Sequence, residues 1–217
     1  MDAVIFDLTD TLVPFPSAVR EEAIVRMAHT LGLSLPAFRA EWSAAWPARA
    51  TGPLEPVARD ICRRLAGSPP DDGLVEEALR ARHEVHAAAF VPRADARETL
   101  AACRQAGLRI GVLTNCSAGT PELWQGSVLA ESVDAIAFSV VERMMKPDPD
   151  FYLLLLRRLD AEPGACLYIG DGSDGELEGA VAVGLRTVLF DLGDGMFDSW
   201  TGPRVLTLKD ALPLLQI

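Results

Sequence analysis

No apolar run in the sequence approaches ~20 residues, so no segment is long enough to cross a bilayer as a helix. There is no Cys-x-x-Cys pair either. Cys62, Cys103, Cys116 and Cys166 are scattered, which excludes a disulfide framework or a paired-thiol zinc site and reads as reduced, packed thiols of a cytoplasmic protein. A basic stretch is also missing: 20 Lys and Arg stand against 31 Asp and Glu, and the net charge of −11 argues against a nucleic-acid groove or an anionic membrane surface as partner. Internal repeats and low-complexity tracts are absent, and the first strand-like run begins at Ala3, which leaves no room for a signal peptide. What remains is 217 residues with 49% hydrophobic content, enough for one substantial core and a smaller second one.

Val4, Ile5 and Phe6 form a short β-branched and aromatic run that predicts a strand buried on both faces. Asp7 follows at its carboxyl end, the edge at which open α/β sheets bind ligands. Capping of the next helix is the other role open to Asp7, and Pro14 and Pro16 oppose it by placing an irregular loop before any helix. From about residue 17 to residue 90 the apolar residues recur at helical spacing (Ala18, Ile24, Val25, Ala28 and Leu31; Val57, Ile61 and Leu65; Leu74, Ala78, Leu79 and Val85). The breaks fall at Gly32, at 47–56 and at 67–73, where Pro69 and Pro70 stand. An all-α insertion over 14–91 is expected, placed to serve as a lid. After Pro92 the pattern alternates: helices over 95–106, 148–159 and 175–183, strands at Arg109–Thr114, 135–139, Cys166–Gly170 and Arg186–Phe190, and a tail helix over 208–215. Alternation of this kind implies a doubly wound parallel sheet, an α/β core made of 1–13 and 92–217.

Three more strand ends carry polar residues: Thr114-Asn115, Lys146 before Pro147-Asp148, and Gly170-Asp171-Gly172. A carboxylate nucleophile, a hydroxyl and an amide, a lysine and a second carboxylate would meet at one rim of the sheet. A phosphoryl group needs such a set, because an Asp can attack phosphorus while hydroxyl, ammonium and carboxylate-held Mg²⁺ balance the charge on its oxygens. In order and spacing these residues resemble the haloacid dehalogenase-like hydrolase superfamily, which includes most phosphoaspartate phosphatases. The first motif reads Asp7-Leu8-Thr9-Asp10-Thr11, the second Thr114, the third Lys146-Pro147-Asp148-Pro149, the fourth Gly170-Asp171 with Glu176 beyond it. The insertion resembles the family's cap placed directly after the first motif.

The resemblance implies a Rossmann-like core with a small all-α cap and a Mg²⁺-dependent phosphatase of a small phosphorylated metabolite. Asp7 would be nucleophile and metal ligand, Thr114 and Lys146 would hold the phosphoryl group with Asn115 beside them, and Asp171 would bind metal, with Asp174 or Glu176 as the further acid. Thr11 would fix the loop backbone. Thr9 stands where the family's phosphatases usually have a second Asp, which protonates the leaving alcohol and then activates water. Losing that group costs roughly 10²–10⁴-fold in rate. Thr9 resembles the residue of the superfamily's cation-pumping ATPases and would still offer its main-chain carbonyl to Mg²⁺; Asp10 would turn inward as a base or remain a solvated turn acid. Two other functions stay open: a metal-independent haloacid dehalogenase-type hydrolase, and a catalytically weakened binding protein. In the cap, His83 and His86 lack a third metal ligand, and Trp42, Trp46 and Arg49 select substrate or are core aromatics and a solvated Arg; in the core, Cys116 follows Asn115 near the proposed site and is read as a packed thiol. Substrate identity and oligomeric state are not legible.

Overall fold

A computed structural model describes residues 1–68, 70–197 and 199–215. Pro69, within the expected break at 67–73, lies outside the described residues. The chain opens with β1 (Ala3–Phe6) and then runs through five helices, α1 (Ser17–Thr30), α2 (Leu35–Ala44), α3 (Trp46–Thr51), α4 (Leu54–Ala66) and α5 (Asp72–Ala89). It continues with α6 (Ala96–Gln105), β2 (Arg109–Thr114), α7 (Thr120–Gln125), β3 (Ala135–Phe138), α8 (Ser139–Glu142) and α9 (Pro149–Arg158). β4 (Cys166–Gly170), α10 (Glu176–Ala182), β5 (Arg186–Phe190) and β6 (Arg204–Val205) complete the regular elements, followed by a 3₁₀ segment, Lys209–Leu215.

Among the described residues six strands form one sheet in the order β3-β2-β1-β4-β5-β6, all parallel. β1 is central, so the chain leaves it toward β2 on one side and β4 on the other, and the carboxyl ends flanking that divergence form the crevice of an open α/β sheet. Strand periodicity divides the core in two. Val4 and Phe6 point into one layer with Leu100, Cys103, Ala211 and Leu215; Ala3 and Ile5 point into the other with Phe151, Tyr152, Leu155 and Leu156. The apolar stretch of α9 is therefore packing surface, as its helical period indicates. Burying each large apolar side chain contributes about 1.5–3 kcal/mol, and all four residues of β1 are solvent-free to within 1%.

The helices between β1 and α6 enclose an apolar cluster of their own, built on Met27, Phe38, Trp42, Leu54, Ile61 and Val75. Three local differences from the sequence pattern have physical reasons. α3 lies inside the stretch read as a break, because its Pro47 falls in the first turn, where no amide donor is needed. β6 is two residues long, too short to carry an alternation. The tail is 3₁₀ and contains Pro213, which has no amide to donate to an α-helical bond.

Candidate active site

Asp7 is held at the crevice by main chain as well as side chain. Its amide donates to the Ile169 carbonyl of β4 at 2.9 Å, so the residue after β1 stays registered to the neighbouring strand. Its carboxylate is buried and accepts from Lys146 Nζ at 2.6 Å. Lys146 reaches it because the chain after α8 is pinned twice: α9 is capped by the Asp148 carboxylate, and Asn115 bonds the Lys146 backbone in both directions. The Asn115 amide accepts from Lys146 N at 2.8 Å and donates to Lys146 O at 3.1 Å and to Asp174 Oδ2 at 2.7 Å. Both its N–H donors are thus engaged by protein, and its place is that of a clamp rather than a hand for substrate.

Lys146 also donates to Glu176 Oε2 at 2.5 Å and to Tyr168 Oη at 3.1 Å, so all three of its protons are directed. Glu176 is fully buried in the first turn of α10 and accepts three further or shared bonds: from Lys146, from Tyr168 Oη at 2.6 Å and from the Gly172 amide at 2.9 Å. Gly170 makes this possible, since a methyl group there would lie 2.1 Å from Glu176 Oε1. Asp171, next to Asp7 across the β1–β4 divergence, is oriented by the Ser173 hydroxyl at 2.6 Å and the Ser173 amide at 3.2 Å.

Two buried carboxylates therefore bind one ammonium, and a third, Asp171, lies beside them. Oxygens of Asp7, Asp171 and Glu176 lie within 4.8 Å of one another. Burial pushes the Asp7 carboxyl well above its usual range and the charges of Glu176 and Asp171 add to this, against the pull of Lys146. Burial, then the Glu176 charge, raises Asp171 to about 6. Burial disfavours the Lys146 ammonium, but the Asp7 and Glu176 carboxylates outweigh it and hold the proton more firmly than on a free lysine. Two formal negative charges are left over. An all-oxygen acidic cluster with that surplus has the donor set and charge that suit a hard divalent cation. Glu176 is committed to Lys146, Tyr168 and Gly172, which leaves Asp7 and Asp171 as the acids with free lone pairs. Asp174, the other acid considered for metal, falls outside the cluster: its carboxylate accepts from Asn115 and from the Trp46 indole at 3.1 and 3.2 Å.

The loop after β1 explains the neighbouring residues. Thr9 bridges to Val13 and lines the cavity above Asp7. Asp10 takes a left-handed backbone, φ 66°, and lines the cavity, but its carboxylate is engaged: it accepts from the Phe15 amide at 2.7 Å and pairs with Arg20. Thr11 does not fix the loop through its hydroxyl, which is buried without a partner among the described residues; Arg93 does that work by donating to the carbonyls of Asp10 and Thr11. Thr114 ends β2 fully buried, its hydroxyl 3.4 Å from the Asn115 carbonyl, and it does not line the cavity, whereas Asn115, Cys116 and Ser117 do.

That cavity, about 480 Å³, opens between the sheet edge and the helical insert. Asp7, Lys146 and Asp171 form its floor, and Phe15, Trp42, Trp46, Arg49, Arg82 and His86 belong to its walls. Arg49 is buried, not solvated: its Nε donates to Trp42 O at 3.0 Å and its guanidinium lies over the Trp42 and Trp46 rings at 4.5 and 5.1 Å. Burial pushes the Cys116 thiol up to about 12, so it stays protonated and inert. Among the described residues His83 and His86 gain no third metal ligand.

A haloacid dehalogenase-like hydrolase family model matches residues 1–184, which spans the sheet centre, the insert and every cavity-floor residue. The chain belongs to that family. It is 28% identical over 194 residues to a glyceraldehyde 3-phosphate phosphatase of Methanopyrus kandleri, covering 86% of this chain and 82% of the relative. It is 29% identical over 225 residues to a ribulose-1,5-bisphosphate 5-phosphatase of Halopiger xanaduensis, covering 96% and 92%. The crystal structure of a HAD phosphatase from Thermococcus onnurineus superposes with a TM-score of 0.69 at 20% identity, over 99% of this chain and 98% of that one, which confirms the fold.

As a member of the haloacid dehalogenase-like hydrolases the chain is an enzyme, and four of its site residues escape a linear reading. Arg82, Ser117, Tyr168 and Arg93 carry no motif. Each gains a role from a partner distant in sequence, such as Ser117 for Arg82, 35 positions away, or Thr11 for Arg93, 82 positions away. In the sequence Arg82 is one of several basic residues on a helical stretch and is indistinguishable there from a surface residue; only the structure shows it buried.

Proposed function

We propose that this hydrolase is a Mg²⁺-dependent phosphatase of a small phosphorylated metabolite, with Asp7 as nucleophile. The observation that carries this is the floor of the cavity: Asp7 held by Lys146 on one oxygen, beside Asp171, in a buried cluster with surplus negative charge. The two phosphatase names among the relatives support it. Four buried, unpaired thiols agree with a cytoplasmic setting, and no helix among the described residues is long and apolar enough to cross a membrane.

Lys146 binds Asp7 Oδ1, which leaves Oδ2 to attack phosphorus. The new O–P bond forms as the P–O bond to the ester oxygen breaks, and the leaving alkoxide takes the electron pair and a proton from water. Water then adds to phosphorus, the acyl O–P bond breaks, and inorganic phosphate departs with the Asp7 carboxylate restored. Lys146 stabilises the charge on the transferring group, and the insert covers the site and excludes bulk water. Mg²⁺, held by Asp7, Asp171 and the Thr9 carbonyl, would offset charge on the phosphoryl oxygens. Among the described residues no further acid is placed to serve the leaving group. Thr9 cannot, Asp10 is tied to Phe15 and Arg20, Asp174 is tied to Asn115 and Trp46, and burial holds His86 neutral down to about 3. Esters with good leaving groups should therefore turn over fastest.

The test is hydrolysis of p-nitrophenyl phosphate with Mg²⁺. Turnover that is lost in EDTA and in Asp7→Asn supports the proposal. Chloride release from 2-chloropropionate in EDTA would replace it with a dehalogenase, and phosphate or aluminium fluoride binding with no turnover would make the chain a binding protein.

A further inference from the structure

In a chain of net charge −11, the cavity wall contributed by the insert is cationic. Arg49 of α3 and Arg82 of α5 line it and are 9% and 5% exposed. Among the described residues neither has a carboxylate within ion-pair distance, although the surface arginines of the same helices region, Arg39, Arg59 and Arg64, all find one. The other buried cation, Lys146, pairs with two. Acid is plentiful in this sequence and none is placed here.

The satisfaction of the two guanidiniums is also incomplete. Arg82 has five N–H donors and one side-chain hydrogen bond among the described residues, to Ser117 Oγ at 2.5 Å. Arg49 donates once, to Trp42 O, and its stacking on Trp42 and Trp46 fixes its plane without neutralising its charge. The two are close enough to repel. Burial lowers Arg82 to about 9, with the Arg49 charge contributing, and burial lowers Arg49 to about 10, so both remain cationic at neutral pH. Buried like charges without a counter-ion are costly, and a fold retains them where an anion arrives to complete them.

We propose that Arg82, with Arg49 beside it, forms a second anion subsite, and that the substrate is a small phosphomonoester bearing another anionic group, carboxylate or phosphate, at the end away from the reacting phosphorus. This rests on the phosphatase reading above. The cavity of about 480 Å³ admits a body of a few carbons with two anionic ends, and Phe15, Trp42 and Trp46 supply an apolar wall for that body. Planar guanidinium forks suit either a carboxylate or a phosphate.

The experiment compares kcat/KM, with Mg²⁺ and the full chain, for three matched three-carbon esters: glycerol 1-phosphate, 3-phosphoglycerate and 1,3-propanediol bisphosphate. Wild type should favour one of the two anion-ended esters over glycerol 1-phosphate by roughly 10–100-fold, chiefly through KM, and the favoured one identifies the second group. Arg82→Gln should collapse the ratio to within about threefold, and Arg82→Lys, which keeps the charge, should restore part of it. Each ratio comes from one preparation, so a misfolded fraction cancels. Wild type treating all three esters alike, or Arg82→Gln keeping the ratio, overturns this proposal while leaving the phosphatase reading intact. If wild type hydrolyses no phosphate ester, that reading fails instead, and titration calorimetry with malonate decides the subsite. Binding lost in Arg82→Gln sustains it; no binding to wild type ends it.

Discussion

Gly170→Ala tests the interior of the site without replacing a titratable group. Gly170 has no left-handed backbone, so a methyl group there carries no conformational penalty and would ordinarily stabilise by about 0.4–1 kcal/mol through the unfolded chain. Space decides otherwise. The new Cβ would lie 2.1 Å from Glu176 Oε1, 2.6 Å from Glu176 Cδ and 2.9 Å from a ring carbon of Tyr168. Ordinary contact begins at 3.4 Å, so the carboxylate must retreat by about 1.3 Å. That displacement breaks its 2.9 Å bond to the Gly172 amide and pulls it off Lys146 and Tyr168, now at 2.5 and 2.6 Å. Losing the Lys146 and Tyr168 bonds, at about 1.5–3 kcal/mol each for a charged acceptor, gives roughly 3–6 kcal/mol, close to the range of about 3–5 kcal/mol for breaking a buried ion pair. Urea unfolding should show the midpoint falling with an unchanged m-value. Turnover of p-nitrophenyl phosphate should fall at least tenfold as Lys146 loses one of its two carboxylates. Adding Glu176→Asp, one methylene shorter, should recover part of both losses, a non-additivity expected of residues in contact. Wild-type stability and turnover in Gly170→Ala would show that Glu176 does not position Lys146.

Other substitutions probe separate parts of the same reasoning. Thr9→Asp supplies the missing acid/base group beside Asp7 and should raise phosphatase kcat by roughly 10²-fold or more, with the slow release of phosphate from the enzyme accelerated in single-turnover experiments; an unchanged rate in a folded variant removes the slot assignment. Asn115→Ala removes both bonds to the Lys146 backbone and leaves its ammonium present but no longer clamped, so kcat should fall about tenfold, and the loss of about 1–3 kcal/mol for two buried bonds should lower the melting temperature by roughly 2–12 °C. His86→Leu addresses acid stability. Burial and the surrounding Arg82 and His83 charges hold His86 at about 3 against 6.5 unfolded, so the unfolded chain takes the proton first and stability falls as pH drops from about 6.5 toward 3. That linkage amounts to about 2 kcal/mol between pH 8 and pH 5, and His86→Leu should remove it from the difference in unfolding free energy measured at those two values.

The sequence by itself determined the sheet and the edge where chemistry collects. β2, β4 and β5 fall at the bounds their apolar runs predict, because a strand buried on both faces must be written as a contiguous β-branched stretch. Glycines at 107 and 184 end helices where a left-handed residue is needed, φ 79° and 90°, a constraint satisfied within a few positions. Asp7 and Asp171 could be placed at one rim for the same reason, since each follows its strand directly; Lys146 stands eight residues beyond β3, past α8, and was placed by its position just before the proline that opens α9. What only the tertiary structure decided is how those groups are held and what they face. Glu176 meets Lys146 across 30 positions, Asn115 grips its backbone across 31, and Arg82 reaches Ser117 across 35. Asp174 turned out to join Trp46 of the insert instead of the acidic cluster. Hydrophobic period and turn chemistry are local and survive in a linear string. The partner of a buried charge is set by which chain segments fold against it, and that information exists only after the sheet and the insert have closed on each other.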